Sequence, residues 1–410
     1  MDVEDGAEIT IGELKENLIF LGTATVKAED GQKIIIHGKV EASDDILFEC
    51  SIEADELECS EGDIEVQGDL QVSGDIEIED GKLTVLKSVQ AKKIDVAAKL
   101  RIGGTLKCQN VDVGGHAVIE GDVEVEDIDI GASLTCKANV KADEIDVGGR
   151  LEIEGTIICD SIDIGGSGRI STGEITNVDV GGSLTINGSF KCQRLDASGR
   201  VRCKGDLEVS NLCDVGGVIR VDGDFNFRNL DVGAAAYVKG NMRGRKIEVG
   251  GSLEAIQNVI VEGNIEVGGV IRIGELGKAK NIEVGGVISA KRLEVDDLHV
   301  GGAIQIEEGL YASDYIEIGS GGRIRGPIVG ETVIISTGSK VKDIWGRKIV
   351  LENASTANNL YGEEVVIEEW CRVKGEILYT KHIDIDESAR LTNNPQKVEQ
   401  LPPPPKSDAL

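Results

Sequence analysis

Large rings are scarce in this chain: aromatic residues make up 3% of its 410 residues, with 2 Trp, 5 Tyr and 5 Phe. A globular core of that length leans on such rings, so their scarcity argues against ordinary compact domains. Proline is nearly absent too, with 6 in all, and only Pro327 falls inside the regular part of the sequence. A proline would remove a ladder donor from any strand it entered. Long apolar runs are missing as well. Leu18-Ile19-Phe20-Leu21 is far short of the roughly 20 residues that cross a bilayer, so no transmembrane segment is expected.

Basic residues are outnumbered, 43 Lys and Arg against 74 Asp and Glu, for a formal charge of −31. That balance excludes nucleic acid or an anionic membrane surface as a partner of the molecule as a whole. Asp2, Glu4 and Asp5 follow Met1 where a secretory leader would carry positive charge, so a cytoplasmic location is the expectation. The 9 cysteines are odd in number, scattered and without a CxxC pair. This pattern fits reduced thiols used as small core residues.

Enzyme signatures are also lacking. Gly274-Glu275-Leu276-Gly277-Lys278-Ala279 has neither the spacing nor the hydroxyl of a phosphate loop. His37, His116, His299 and His382 have no partner histidine at a metal-ligand spacing. No nucleophile stands beside a base. The reading is a non-enzymatic protein with no cofactor and no metal.

What the chain does have is a period. Ile145-Asp146-Val147-Gly148-Gly149 returns as Val111-Asp112-Val113-Gly114-Gly115, Ile128-Asp129-Ile130-Gly131-Ala132, Ile162-Asp163-Ile164-Gly165-Gly166 and Ile282-Glu283-Val284-Gly285-Gly286, about every seventeen residues. Between copies, apolar residues alternate with polar ones in three bursts, as in Ile145/Val147, Leu151/Ile153 and Ile157/Cys159. Period-two alternation means strands with one buried face. Three short bursts per repeat predict an all-β fold, a three-sided parallel β-helix of about 21 coils, with Ile145 stacked on Ile128 and Ile162. The Gly-Gly place is then a corner, a tight bend with little room for a Cβ.

The expected layout is an N-terminal segment or cap over 1–33, acidic β-helix with Gly-Gly corners over 34–320, C-terminal coils over 321–391, and a disordered Pro-rich tail over 392–410. Glu13 to Leu21 reads equally as a short strand pair or a helical cap. The tail holds Pro402-Pro403-Pro404-Pro405 and suits a spacer or docking segment.

Two surface features stand out. The residue after the first apolar position is acidic in nearly every coil, giving an outward ladder through Asp112, Asp129, Asp146, Asp163 and Asp179. A solvated face that keeps molecules apart explains it; a cation-binding or partner-binding ladder is the sharper alternative. Further on, Ile334, Val350 and Val366 replace the acid in successive coils, and Trp345 and Tyr361 appear in the neighbouring turns. An outward apolar stripe is either a contact surface or a face that the cap or tail folds over. Charge is uneven as well: Lys191, Arg194, Arg200, Arg202, Arg228, Arg243 and Arg245 fall in a base-rich stretch, which could set a staggered register between copies or mean nothing.

Gly338-Ser339-Lys340-Val341-Lys342-Asp343-Ile344-Trp345-Gly346-Arg347-Lys348-Ile349-Val350-Leu351-Glu352 and Gly375-Glu376-Ile377-Leu378-Tyr379 resemble coils of the bactofilins, polymer-forming cytoskeletal proteins. The resemblance implies a right-handed β-helix that assembles end to end with itself, without nucleotide, in cell shape or as a scaffold. Other expected partners are proteins bound along the long faces or by the Pro-rich tail. The alternatives are a monomeric β-helical scaffold or subunit of a larger complex, and a carbohydrate-active groove enzyme.

Overall fold

A computed structural model describes residues 1–406. It is a parallel β-solenoid of about 23 turns with ~17 residues per turn, and the described residues contain no helix. The coils fall into two compact units, Met1–Lys204 and Gly205–Leu410. The change of surface pattern near residue 320 therefore lies inside the second unit.

In the first unit each coil gives one strand to each of three parallel ladders. One ladder aligns Val40, Leu57, Ile76, Ile94, Val111, Ile128, Ile145, Ile162, Val178 and Leu195 as direct Cα partners. Ile145 stacks on Ile128 and Ile162, as the period predicts. The second ladder runs through Leu134 and Leu151, the third through Val140 and Ile157. All of these side chains are buried. Parallel in-register stacking puts like on like, so each core residue meets its own kind above and below, and each coil is stabilised by its two neighbours.

Residues 1–33 form coils of the same solenoid, not a cap. Asp2–Val3 pairs with Ile19–Phe20, Ala7–Ile11 with Ala24–Ala28, and Glu13–Leu14 with Ile35–Ile36. Glu29–Gln32 hid this. Ile11 pairs with Ala28 seventeen residues on, whereas Glu13 pairs with Ile35 twenty-two on. The extra residues make a turn in which Asp30 accepts from the Gln32 and Lys33 backbone N–H groups at 2.7 and 3.0 Å, and Gly31 takes φ 70°.

The Gly-Gly corners owe their glycine to stacking. None of Gly114, Gly131, Gly148 or Gly165 has positive φ. A Cβ on Gly148 would instead stand 2.4 Å from the Gly131 carbonyl oxygen of the coil before it. The expected bend is there, but the coil-to-coil approach is what excludes the side chain.

The second unit repeats the plan. Cys213, Leu230, Ile247, Ile265, Ile282, Leu298, Ile316, Val333, Ile349, Val365 and Ile383 align in one ladder. Its last coils turn a different corner, built on left-handed backbone at Gly321, Gly338, Ala354 and Trp370. Behind that corner the buried hydroxyls of Ser339 and Ser355 donate to the Gly319 and Ser336 carbonyls at 3.3 and 3.0 Å.

The tail is a further correction. Gln396–Lys397 adds a parallel strand to Leu378–Tyr379, and the Val398 N–H donates to the Tyr379 carbonyl at 2.9 Å. Leu401, Pro402 and Pro405 are half-buried. Residues 407–410 lie outside the described residues.

Candidate functional site

The acidic ladder is in register and points outward. Asp95, Asp112, Asp129, Asp146, Asp163, Asp179 and Asp196 are successive Cα partners, and the five central carboxylates are exposed. At the ladder's edge Lys93 reaches Asp95 at 2.9 Å. No described Lys or Arg forms an ion pair with Asp129, Asp146 or Asp163. Where Lys93 sits one coil earlier, the next coils offer Asn110, Asp127 and Glu144, and Asn110 donates to Asp127 at 2.8 Å. Burial first, then Asp95 and Asp129 on either side, raises the Asp112 carboxyl above its ordinary pKa. Burial, then Asp196 and Asp163, does the same for Asp179.

Two unit charges one rung apart, at about 4.8 Å, repel by roughly 0.9 kcal/mol in bulk water, less with salt. The melting temperature is therefore expected to rise with ionic strength. A raised folded pKa means the folded state binds more protons than the unfolded one in the window just above about pH 4. Stability from these two groups thus grows as pH falls through that window and shrinks as it rises. The D112N/D179N variant is expected to be more stable than the parent at pH 7 and to converge with it only as pH falls below about 4, by urea midpoint. Parallel profiles would show that repulsion in the ladder is negligible.

Among the described residues no three His, Cys, Asp or Glu are grouped to hold a metal ion. All nine cysteines are buried. Burial pushes the Cys59, Cys108 and Cys159 thiols up to about 11. Each S–H donates to a carbonyl two residues on, at 3.0 to 3.1 Å. These are neutral core thiols, which suits the scattered pattern.

The five residues of the apolar stripe separate into two columns. Ile334, Val350 and Val366 are partners, continuing the acidic position of Glu317 and giving way to Asp384. Trp345 and Tyr361 are not in turns. They sit on strands Ile344–Leu351 and Leu360–Ile367, in a column that runs Val329, Trp345, Tyr361, Leu378 and Gln396. Their ring centroids are 4.8 Å apart at 34°. With Val329, Arg347, Glu363 and Thr380 they floor a groove of about 530 Å³ whose other wall is Glu399–Pro404. The tail thus faces the aromatic column across this groove and leaves the Ile334 column half-exposed.

The base-rich stretch gathers a second groove, of about 820 Å³, where Arg228, Arg243 and Arg245 stand with Phe227, Glu208 and Glu262. Gly244 makes room for the Phe227 ring, which a Cβ there would meet at 2.1 Å. The sequence singled out Trp345, Tyr361 and the base-rich stretch and offered the tail as a cover for the stripe, but not the grooves these residues line, because their columns join residues sixteen or more positions apart. No described helix is long and apolar enough to cross a membrane. No family model, curated protein or solved structure matches the chain.

Proposed function

We propose that the chain is a structural, non-enzymatic protein that assembles head to tail through its end coils into an intracellular filament or scaffold, without nucleotide, as bactofilins do. The observation that carries this is the state of the end coils. Ala7–Ile11 pairs on one side only among the described strands, and Ile9 and Leu14, in register with buried Val26 and Ile36, are half-exposed. At the other end Ile383, Ile385 and Leu391, in register with buried Val365, Ile367 and Val373, are half-exposed too. Each end offers unpaired parallel-strand edges and an apolar cross-section, the two halves of a head-to-tail contact that does not close on itself. The acidic ladder suits the same reading, since it disfavours side-by-side bundling.

Covering a half-exposed Ile or Leu stabilises by about 1 kcal/mol, and a buried carboxylate there costs more. The I9D/L14D variant is therefore expected to raise the concentration needed for assembly by more than about tenfold, read by sedimentation and negative-stain microscopy. Particles of uniform length at every concentration of the parent chain would overturn the proposal. A monomeric binding scaffold is the second reading, favoured by the strand Gln396–Lys397, which covers one of the three faces at the C-terminal end. In the same assay I334D/V350D/V366D separates the outward stripe from the ends: it should weaken lateral contacts and leave end-to-end growth intact.

A further inference from the structure

The proline run and the aromatic column line the two sides of one groove, and their chemistry is complementary. Four consecutive prolines favour a polyproline II helix with three residues per turn. The tail shows that period: Pro402 and Pro405 are half-buried, and Pro403 and Pro404 between them are exposed. Proline has no N–H, so such a segment offers only carbonyl acceptors. Among the residues lining the same groove is a donor without an acceptor. Trp345 Nε1 is buried and has no hydrogen-bond partner. An indole N–H is a donor only, and buried polar groups of this kind are ordinarily satisfied.

The rest of the floor fits the same ligand. Trp345 and Tyr361 lie on adjacent rungs with their rings 4.8 Å apart, forming the aromatic ridge on which proline rings pack. Arg347 is held to Glu331 at 2.8 Å, and Glu363 lies 2.6 Å from the Lys381 ammonium, an ion pair without a hydrogen bond, so both floor charges have a counter-charge. The open volume of about 530 Å³ between this floor and the tail lies in the range of small-ligand sites. The floor is fixed by three in-register strands, whereas the segment facing it is anchored only through Gln396–Lys397.

We infer that the Trp345–Tyr361 groove is a binding site for a proline-rich segment in the polyproline II conformation. Its tethered ligand is the chain's own Leu401–Pro405, and its exchangeable ligand is the same segment of a second copy. In an isolated chain the tether gives the tail a high effective concentration over the groove. When copies stand close together, one tail takes another's groove, with no new kind of contact. This link is independent of the end coils.

The test uses the chain ended after Val398, which keeps the Gln396–Lys397 strand, with Trp370→Phe so that Trp345 alone reports by fluorescence. The probe is a peptide of residues Glu399–Lys406. The truncated chain is expected to bind it at high micromolar to millimolar concentration. The full-length chain should bind at least tenfold more weakly, because its own tail competes. Trp345→Phe, which keeps a ring and removes the donor, should weaken binding about fivefold, and Tyr361→Ala should abolish it. In case truncation harms the fold, P402A/P403A/P404A/P405A in the full-length chain provides a second route. It should shift Trp345 emission to the red and open the groove to the peptide. No binding to either opened form, or equal binding by parent and opened chains, would overturn the inference. Equal binding by the Trp345→Phe variant would remove the indole N–H from it.

Discussion

Phe225→Ala is expected to lower stability by about 3 to 5 kcal/mol, the range for deleting a large buried ring. Phe225 is fully buried, and its ring centroid lies 4.9 Å from that of Phe227. Its partners in the ladder are Leu207 and Met242. In a thin coil there is no second layer of side chains to collapse into the hole, so the cavity term stays near full size. Because each coil is held by its neighbours, the loss should show in the second unit first, as a lower urea midpoint and as faster amide exchange in Leu207–Val209 and Met242–Gly244. Phe225→Leu, which keeps most of the volume, should cost far less. A change under about 1 kcal/mol for the alanine would mean that the ring is not a core element.

Gly148→Ala should already cost about 1 to 3 kcal/mol, the range of overpacking effects, and Gly148→Val at least as much. A Cβ at this position meets the Gly131 carbonyl oxygen at 2.4 Å. The oxygen is backbone, held in the ladder, so even one methyl forces the two coils to shift. Valine adds two branches beyond that methyl, and both flanking coils limit how far it can move. The comparison of urea midpoints for glycine, alanine and valine separates stacking from backbone conformation. Gly148 has no positive φ for alanine to strain, so a penalty already present in alanine reports stacking; equal midpoints for all three would remove the corner from the account of stability.

The period was legible because parallel stacking repeats one environment. Ile128, Ile145 and Ile162 occupy the same site in three coils, so the same residue type recurs, and the outward Asp column follows from alternation. Where the environment is not repeated, the pattern fails. The five extra residues Glu29–Lys33 displaced the first coils from the ruler, and left-handed corners at Gly321, Gly338, Ala354 and Trp370 share a conformation but not one residue type. The corner glycines were found and their cause was not, since a carbonyl seventeen residues back leaves no mark in local sequence. The tail misled for a related reason. Proline-rich composition signals poor packing in isolation, and the partner that orders it is a column whose members lie sixteen or more residues apart, from Val329 to Leu378.

Identical pairing from lap to lap has a consequence for the length of the molecule. Asn110–Val113 pairs with Asp127–Ile130 in the same way as Asp127–Ile130 pairs with Glu144–Val147. Excising residues 128–144 joins Asp127 to Ile145, and every remaining side chain keeps the face it had. Whole laps can thus be lost or duplicated in a single genetic event without any new packing problem to solve, which makes size in this architecture a quantity that drifts or is tuned independently of its cross-section.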